Sequence, residues 1–346
     1  MVKGELNLAL NYYERSYQLR RELLPHDHPH IGVSLNNMGV LYYRKGEYDR
    51  SIDLYKEAAC IYEKCYTGIH FRKAMLMRNF GFTYTSVGDY DMALEYLTHA
   101  LTIYKAVLSE EDFFIADCLG YIGDVYRKKQ NLDIALDYYY QRLNMKNHCL
   151  AADHPHLMED LYPIVETYVE MQQWDEALKL CHGQLASQHE NLGNNHPRIV
   201  HTLSLIGNIY RSKEEFQQAL SFYLQALSTA ESIRPLCYTS IIECLKEVGA
   251  YYYLRAMYNE SLPYWQRQLE LTYKIYPMEN ARAAESLKYI GNIHFKLAEH
   301  TIALTYLQEA LSIYEKVYSR HHEDVKKIRI DINAVETTLQ KRNDYC

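Results

Sequence analysis

The feature that most constrains the fold is a strict periodicity. A glycine stands three residues before a tyrosine at Gly39–Tyr42, Gly81–Tyr84, Gly123–Tyr126, Gly207–Tyr210 and Gly249–Tyr252, at spacings of 42, 42, 84 and 42 residues. Val165–Tyr168 fills the missing place, and Gly291–His294 continues the series. Twelve and thirteen residues after each place come a small residue and an aliphatic one: Ser51–Ile52, Ala93–Leu94, Ala135–Leu136, Ala177–Leu178, Ala219–Leu220, Ser261–Leu262 and Ala303–Leu304, with Ala9–Leu10 one period earlier. Three residues on, the place is bulky or apolar: Tyr13, Tyr55, Leu97, Tyr139, Cys181, Tyr223, Trp265 and Leu307. A fixed period of this length, with no insertion or deletion, is the mark of stacked supersecondary units.

Each unit reads as two helices. In the first full unit Val33, Leu35, Met38, Leu41 and Tyr42 recur at helical spacing, the run KGEYD breaks the pattern, and Ile52, Tyr55, Ala59 and Tyr62 open a second apolar face. Small residues at Gly39 and Ser51 are expected to let the two backbones approach across the turn, where larger side chains would push them apart. The composition agrees: 35 tyrosines against 14 glycines and 8 prolines suits long helices packed edge to edge.

The pattern resembles the tetratricopeptide repeat. The 42-residue form, with HP ahead of SLNNMGVLYYRKGEYDRSIDLYKEAACIYEK, looks like the repeats of kinesin light chains and nephrocystin-like proteins. The expected architecture is all-α, a right-handed superhelical solenoid of stacked helix-turn-helix units. Residues 1–24 read as a half repeat (second helix only). Seven units follow at 25–66, 67–108, 109–150, 151–192, 193–234, 235–276 and 277–318, and 319–346 reads as a C-terminal capping helix. A helix pair with two apolar faces cannot bury both alone, so neighbours must stack.

The resemblance implies an inner groove lined by the first helix of each unit, which takes up proteins or linear peptides. Its inward places lie three before, one after and four after the glycine. From these and their neighbours, Asn36, Asn37, Tyr43, Arg78, Asn79, Phe82, Arg127, Asn208, Arg211, Lys288 and Asn292 are the candidate peptide-binding residues. Asparagine can hold a backbone donor and acceptor together, and arginine clamps carboxylates. The same polar side chains can instead form ladders between adjacent helices. Kinesin-light-chain-like grooves favour acidic, aromatic-bearing peptides, which Arg78 suits. Glu159, Asp160, Glu166 and Glu170 make the fourth unit suited to a basic partner. Lys288 and Asn292 match two places of the carboxylate clamp of chaperone-binding tetratricopeptide domains, but Asp331 stands where that clamp needs asparagine. The fourth unit also departs from the pattern with Val165 at the glycine place and Pro163 inside its first helix, so a bend or a tolerated local kink is expected there.

Other function classes find little support. The net charge of −7 leaves no polybasic footprint for nucleic acid. No apolar run is long enough to span a bilayer, and the N-terminus lacks a secretory layout. The expected location is cytoplasmic, with no membrane insertion. The eight cysteines form no CxxC pair and read as reduced thiols. No phosphate loop, HExxH or GxSxG occurs, so neither catalysis nor a cofactor is expected. Asn259 heads a formal glycosylation sequon, discounted because it falls at a helix start in a cytosolic-looking chain. Two further functions stay open: a kinesin-light-chain-like motor cargo adaptor, and an accessory repeat module of a larger enzyme such as a signalling NTPase or an ADP-ribosyltransferase. The upstream coiled coil of kinesin light chains is not seen in these residues.

The run HDHPH, with His26, His28 and His30, invites a metal-site reading. The repeat frame supplies a plainer one. The place of His28 recurs as His70, Asp112, His154, His196, Tyr238, Asn280 and His322, and prolines follow at Pro29, Pro155 and Pro197. Aspartate and asparagine cap helices, a histidine ring nitrogen can do the same, and proline suits the first helical position.

Overall fold

A computed structural model of the chain describes residues 3–109, 112–149, 156–277, 280–318 and 322–344. The described residues form α-helices and no strand. They divide into two compact units, Lys3–Gln173 and Trp174–Cys346.

The first unit holds α1 (Lys3–Leu23), α2 (Pro29–Arg44), α3 (Tyr48–Cys65), α4 (Phe71–Val87), α5 (Tyr90–Val107), α6 (Phe113–Lys128), α7 (Leu132–Cys149) and α8 (His156–Glu170). The second holds α9 (Trp174–Leu192), α10 (Pro197–Ser212), α11 (Phe216–Ser232), α12 (Tyr238–Leu254), α13 (Tyr258–Ile275), α14 (Ala281–Lys296), α15 (His300–Val317) and α16 (Glu323–Asp344). Within each unit a helix packs on its sequence neighbours, and first helices also meet the first helix of the next pair, as α2 meets α4 and α10 meets α12. This nearest-neighbour packing is what a stacked repeat requires.

Helix entry follows the capping reading. His28, His70, His196 and His322 each accept a backbone N–H at Nδ1, from His30, Arg72, Arg198 and Asp324, at 3.1–3.3 Å. Asp112 and Asn280 accept from Phe114 and Arg282 in the same way. The Tyr238 place differs: α12 begins on Tyr238 itself, and Cys237 takes the cap position without a side-chain cap bond. His154 and Pro155 lie outside the described residues. His28 Nδ1 is occupied by its cap, its ring stacks on His30 at 5.1 Å, and among the described residues no three His, Cys, Asp or Glu side chains converge as a metal site.

Helix exit is equally regular. Seven residues after each glycine place the backbone turns left-handed, at Gly46, Gly88, Gln130, Gln172, Glu214, Ala256 and Ala298. The next residue then donates its N–H to the carbonyl of the repeated tyrosine or histidine, from Glu47→Tyr42 to Glu299→His294, at 2.9–3.0 Å. This closes the end of each first helix in a Schellman-type turn.

The glycine places have a sharper purpose than close backbone approach alone. A Cβ on Gly39 would stand 2.3 Å from the Tyr55 ring, and one on Gly249 would stand 2.8 Å from the indole of Trp265. Glycine therefore opens the socket for the bulky residue of the second helix. Where the small partner is serine, its hydroxyl donates to the glycine carbonyl: Ser51 to Gly39 and Ser261 to Gly249, both at 2.8 Å. A second repeated contact lies alongside. The tyrosine or histidine of the first helix stacks on a ring of the second in Tyr84–Tyr96, Tyr126–Tyr138, Tyr210–Phe222, Tyr252–Tyr264 and His294–Tyr306, at centroid distances of 5.4–5.6 Å. Pro163 sits inside α8, which runs unbroken from His156 to Glu170. No described helix is long and apolar enough to cross a membrane.

Candidate functional site

Three first helices of residues 3–173 bring some of the candidate groove residues together. Three of them, Tyr43 of α2, Phe82 of α4 and Arg127 of α6, line a single cleft of about 360 Å³ with Thr85, Ser86, Tyr121, Asp124 and Lys128. Phe82 meets Tyr121 edge-on at 4.0 Å, and Ser86 donates to the Tyr43 hydroxyl at 3.2 Å. The cleft thus spans three consecutive units and offers aromatic surface from each. Its size falls in the range of small-ligand and side-chain pockets.

Most polar groups here are already engaged. Asp124 accepts from the Tyr139 hydroxyl at 2.7 Å. Burial pushes the Asp124 carboxyl above its ordinary pKa, against the opposing pull of that hydrogen bond. Burial disfavours the charge of Arg127, but the carboxylates of Glu166 and Glu170 outweigh it and hold its pKa above the usual value. Burial also pushes the Tyr121 hydroxyl up to about 12, so it stays protonated. Lys128, at the exposed rim, makes no ion pair among the described residues. What the cleft offers a ligand is ring surface, hydroxyl groups and one cation, which suits recognition more than bond-making.

The other candidates are placed as follows. Asn79 donates to Asn36 at 2.9 Å, so these two buried amides form a ladder between α2 and α4. Asn37 is half-buried beside them on α2. The Arg78 guanidinium lies over the Phe114 ring at 5.5 Å. Its Nε is buried without a hydrogen-bond partner, and Arg78 makes no ion pair among the described residues.

In residues 174–346 the ladder arrangement dominates. Asn208 accepts from the Tyr223 hydroxyl at 2.7 Å. Arg211 reaches Glu247 at 3.5 Å, and Lys246 reaches Glu285 at 3.0 Å. Asn292 donates to Asp331 at 3.1 Å, so the aspartate that departs from the clamp pattern holds the asparagine. Lys288 lies over the Tyr289 ring at 5.2 Å. Glu166 and Glu170, which seemed to favour a basic partner, are both bound by Arg127. The side chains of Glu159 and Asp160 lie outside the described residues.

Sequence reasoning passed over Ser86, Tyr121 and Lys128. They stand five after, two before and five after their glycine places. Counting those two rows as inward would have found all three.

The tetratricopeptide repeat family model matches residues 1–64, 72–148 and 158–232, and a second tetratricopeptide repeat model matches residues 283–324. No curated protein matches the chain. Among solved structures, the nearly identical TPR-like repeats described as a kinesin light chain of Podosopora anserina share 19% identity at a TM-score of 0.53, over 60% of this chain and 99% of that one. A single-residue variant of those repeats shares 18% at 0.52, over 58% and 95%. The apo form of RapI shares 11% at 0.50, over 83% and 98%. At such identities the likeness is one of fold. With its 42-residue pairs of helices and the family model spanning more than half its length, the chain belongs to the tetratricopeptide repeat family.

Proposed function

We propose that this chain is an interaction scaffold that captures a linear peptide or partner helix on the first-helix face of residues 3–173. Its modules are the seven units within 25–318, flanked by the half units 1–24 and 319–346. The observation that supports this reading best is the cleft of Tyr43, Phe82 and Tyr121 across three successive units, with Lys128 at its rim. An apolar or aromatic side chain fits the rings, one acidic neighbour fits Lys128, and a second fits the Arg78 guanidinium over Phe114. That matches the acidic, aromatic-bearing peptides which the resemblance to kinesin light chain repeats implies. The same features favour binding over catalysis, because Asp124 and Arg127 are committed to protein partners.

The test uses a fluorescently labelled peptide with one tryptophan flanked by aspartates, titrated against the full chain in a polarisation assay. Saturable binding should weaken with rising salt, with Lys128→Glu and with Arg78→Glu. Binding indifferent to all three would refute the assignment. An equally tight complex with a lysine-flanked peptide would move the site elsewhere.

A further inference from the structure

A second pocket, of about 250 Å³, opens where α3, α4 and α5 meet. Ala59, Cys60 and Tyr62 of α3, Met77 and Phe80 of α4 and Tyr96 of α5 give it a chiefly apolar lining. It shares no residue with the cleft of Tyr43, Phe82 and Tyr121. Two departures from the repeat pattern build it. Twenty residues after the glycine place every other unit carries leucine, at Leu101, Leu143, Leu185, Leu227, Leu269 and Leu311. Leu227 belongs to the buried core, and Leu101, Leu185, Leu269 and Leu311 pack against it. The first unit alone has a small residue there, Ala59, so the volume of an isopropyl group is left open beside α4.

The second departure places a cation in the same pocket. Eight residues before the glycine place the other units carry Ile31, Ile115, Leu157, Ile199, Ile241 and Ala283, all apolar. Ile31, Ile115, Ile199, Ile241 and Ala283 are exposed by 3% or less. The second unit has Lys73 there, which is 8% exposed and lines the pocket. Lysine is seldom buried to this degree unless it is paired. Lys73 donates to Glu63 at 2.7 Å, but the Glu63 side chain is itself 66% exposed. An ammonium has three N–H donors, and Glu63 takes one of them. Lys56 adds a second cation to the lining, against the single carboxylate of Glu63. Its own partner, Asp53, stands outside the pocket at 3.9 Å.

We propose that this pocket is a binding site for a small aliphatic carboxylic acid, with its alkyl chain against Ala59, Met77 and Phe80 and its carboxylate on the Lys73 ammonium. The lining calls for an apolar body, and its unbalanced positive charge calls for one anionic head. A carboxylate accepting from Lys73 makes a charge-assisted hydrogen bond in apolar surroundings, where such bonds are strongest. The exposed ion pair to Glu63 is a weak competitor by comparison. Cys60, exposed on the wall of the pocket, reports on its occupancy.

The experiment titrates the full chain with octanoate and, separately, with 1-octanol, and follows alkylation of Cys60 by iodoacetamide with mass spectrometry. Octanoate should slow the alkylation of Cys60 saturably and leave that of Cys237 unchanged. Octanol should need about tenfold more ligand or beyond for the same protection, because it lacks the charged hydrogen bond. Two variants restore the residues of the other units and so suit the fold. Ala59→Leu should abolish protection by both ligands, and Lys73→Ile should erase the preference for the acid. Cys60 alkylation indifferent to octanoate, equal protection by octanol, or protection that survives Ala59→Leu overturns the proposal. Each of these outcomes leaves the peptide reading of the cleft untouched, since the two sites share no residue.

Discussion

The two compact units use one repeat to different ends on their first-helix faces. In residues 174–346, Arg211–Glu247, Lys246–Glu285 and Asn292–Asp331 tie each first helix to the next. In residues 3–173, the ties Asn36–Asn79 and Arg127–Glu166 lie to either side of a ring-lined cleft, and Lys128 and Arg78 make no ion pair among the described residues. A polar residue at such a place is tied to the next first helix where a complementary residue stands about one period along.

The largest expected effect should be the same in both units, and a difference would break the idea of a shared frame. Gly123→Leu and Gly207→Leu each drive a side chain into the Tyr139 or Tyr223 ring. Each should cost about 3 kcal/mol, the upper end for overpacking, seen as a lower urea midpoint. An unchanged midpoint for either would show that the socket relaxes freely.

Next comes the ladder. Arg211→Met leaves the half-buried Glu247 without its cation, and burial already raises the pKa of that carboxyl. A loss of about 2 kcal/mol is expected, and Arg211→Met with Glu247→Leu should recover most of it. A double variant no better than the single would argue against a coupled pair.

In the cleft, Phe82→Ala with Tyr121→Ala should weaken the aromatic acidic peptide by about tenfold or more. Tyr253→Ala on the other face should leave its affinity unchanged. Equal losses would erase the distinction between the units.

A smaller contrast lies in the turns. The first unit places Gly46, Gly88, Gln130 and Gln172 at left-handed positions, whereas the second has Glu214, Ala256 and Ala298 there and no glycine. Ala298→Gly should raise stability by up to about 1 kcal/mol, because alanine is strained in that conformation. A fall in melting temperature would contradict this.

The smallest effect is a pH dependence confined to caps that titrate. Burial, reinforced by Arg72 and Lys73, holds the His70 pKa below its ordinary 6.5. The neutral ring is the form that accepts the Arg72 N–H. Its contribution is thus complete above pH 6.5 and is lost as pH falls through the lowered folded-state value. Hydrogen exchange at the start of α4 should quicken on acidification, and His70→Asn should flatten that response, as in α14 with its Asn280 cap. Identical pH profiles for the two proteins would remove His70 from the account.

Much of the fold was legible in the sequence because its determinants are local or one period apart. The caps at His28 and Asp112, the sockets at Gly39 and Gly249 and the turn after Tyr42 each recur at the same register. Cys237 broke the register by one residue: Tyr238 offers no short acceptor, and the helix begins on it. Tyr121 escaped notice because a tyrosine in a helix of this composition is as readily a core residue as a groove residue.

The sequence by itself determined the class of fold, the repeat family and most first-helix entrances among the described residues, since 3.6-residue periodicity, capping chemistry and glycine sockets act between near neighbours. Only the tertiary structure decided which of these polar side chains are tied to a neighbouring helix. Arg127, Arg211 and Asn292 are bound by Glu166, Glu247 and Asp331, whereas Arg78 lies over the Phe114 ring. Such a tie depends on whether a complementary group on the next helix comes within hydrogen-bond reach, and that distance is set by side-chain rotamers and the stacking of one pair on another.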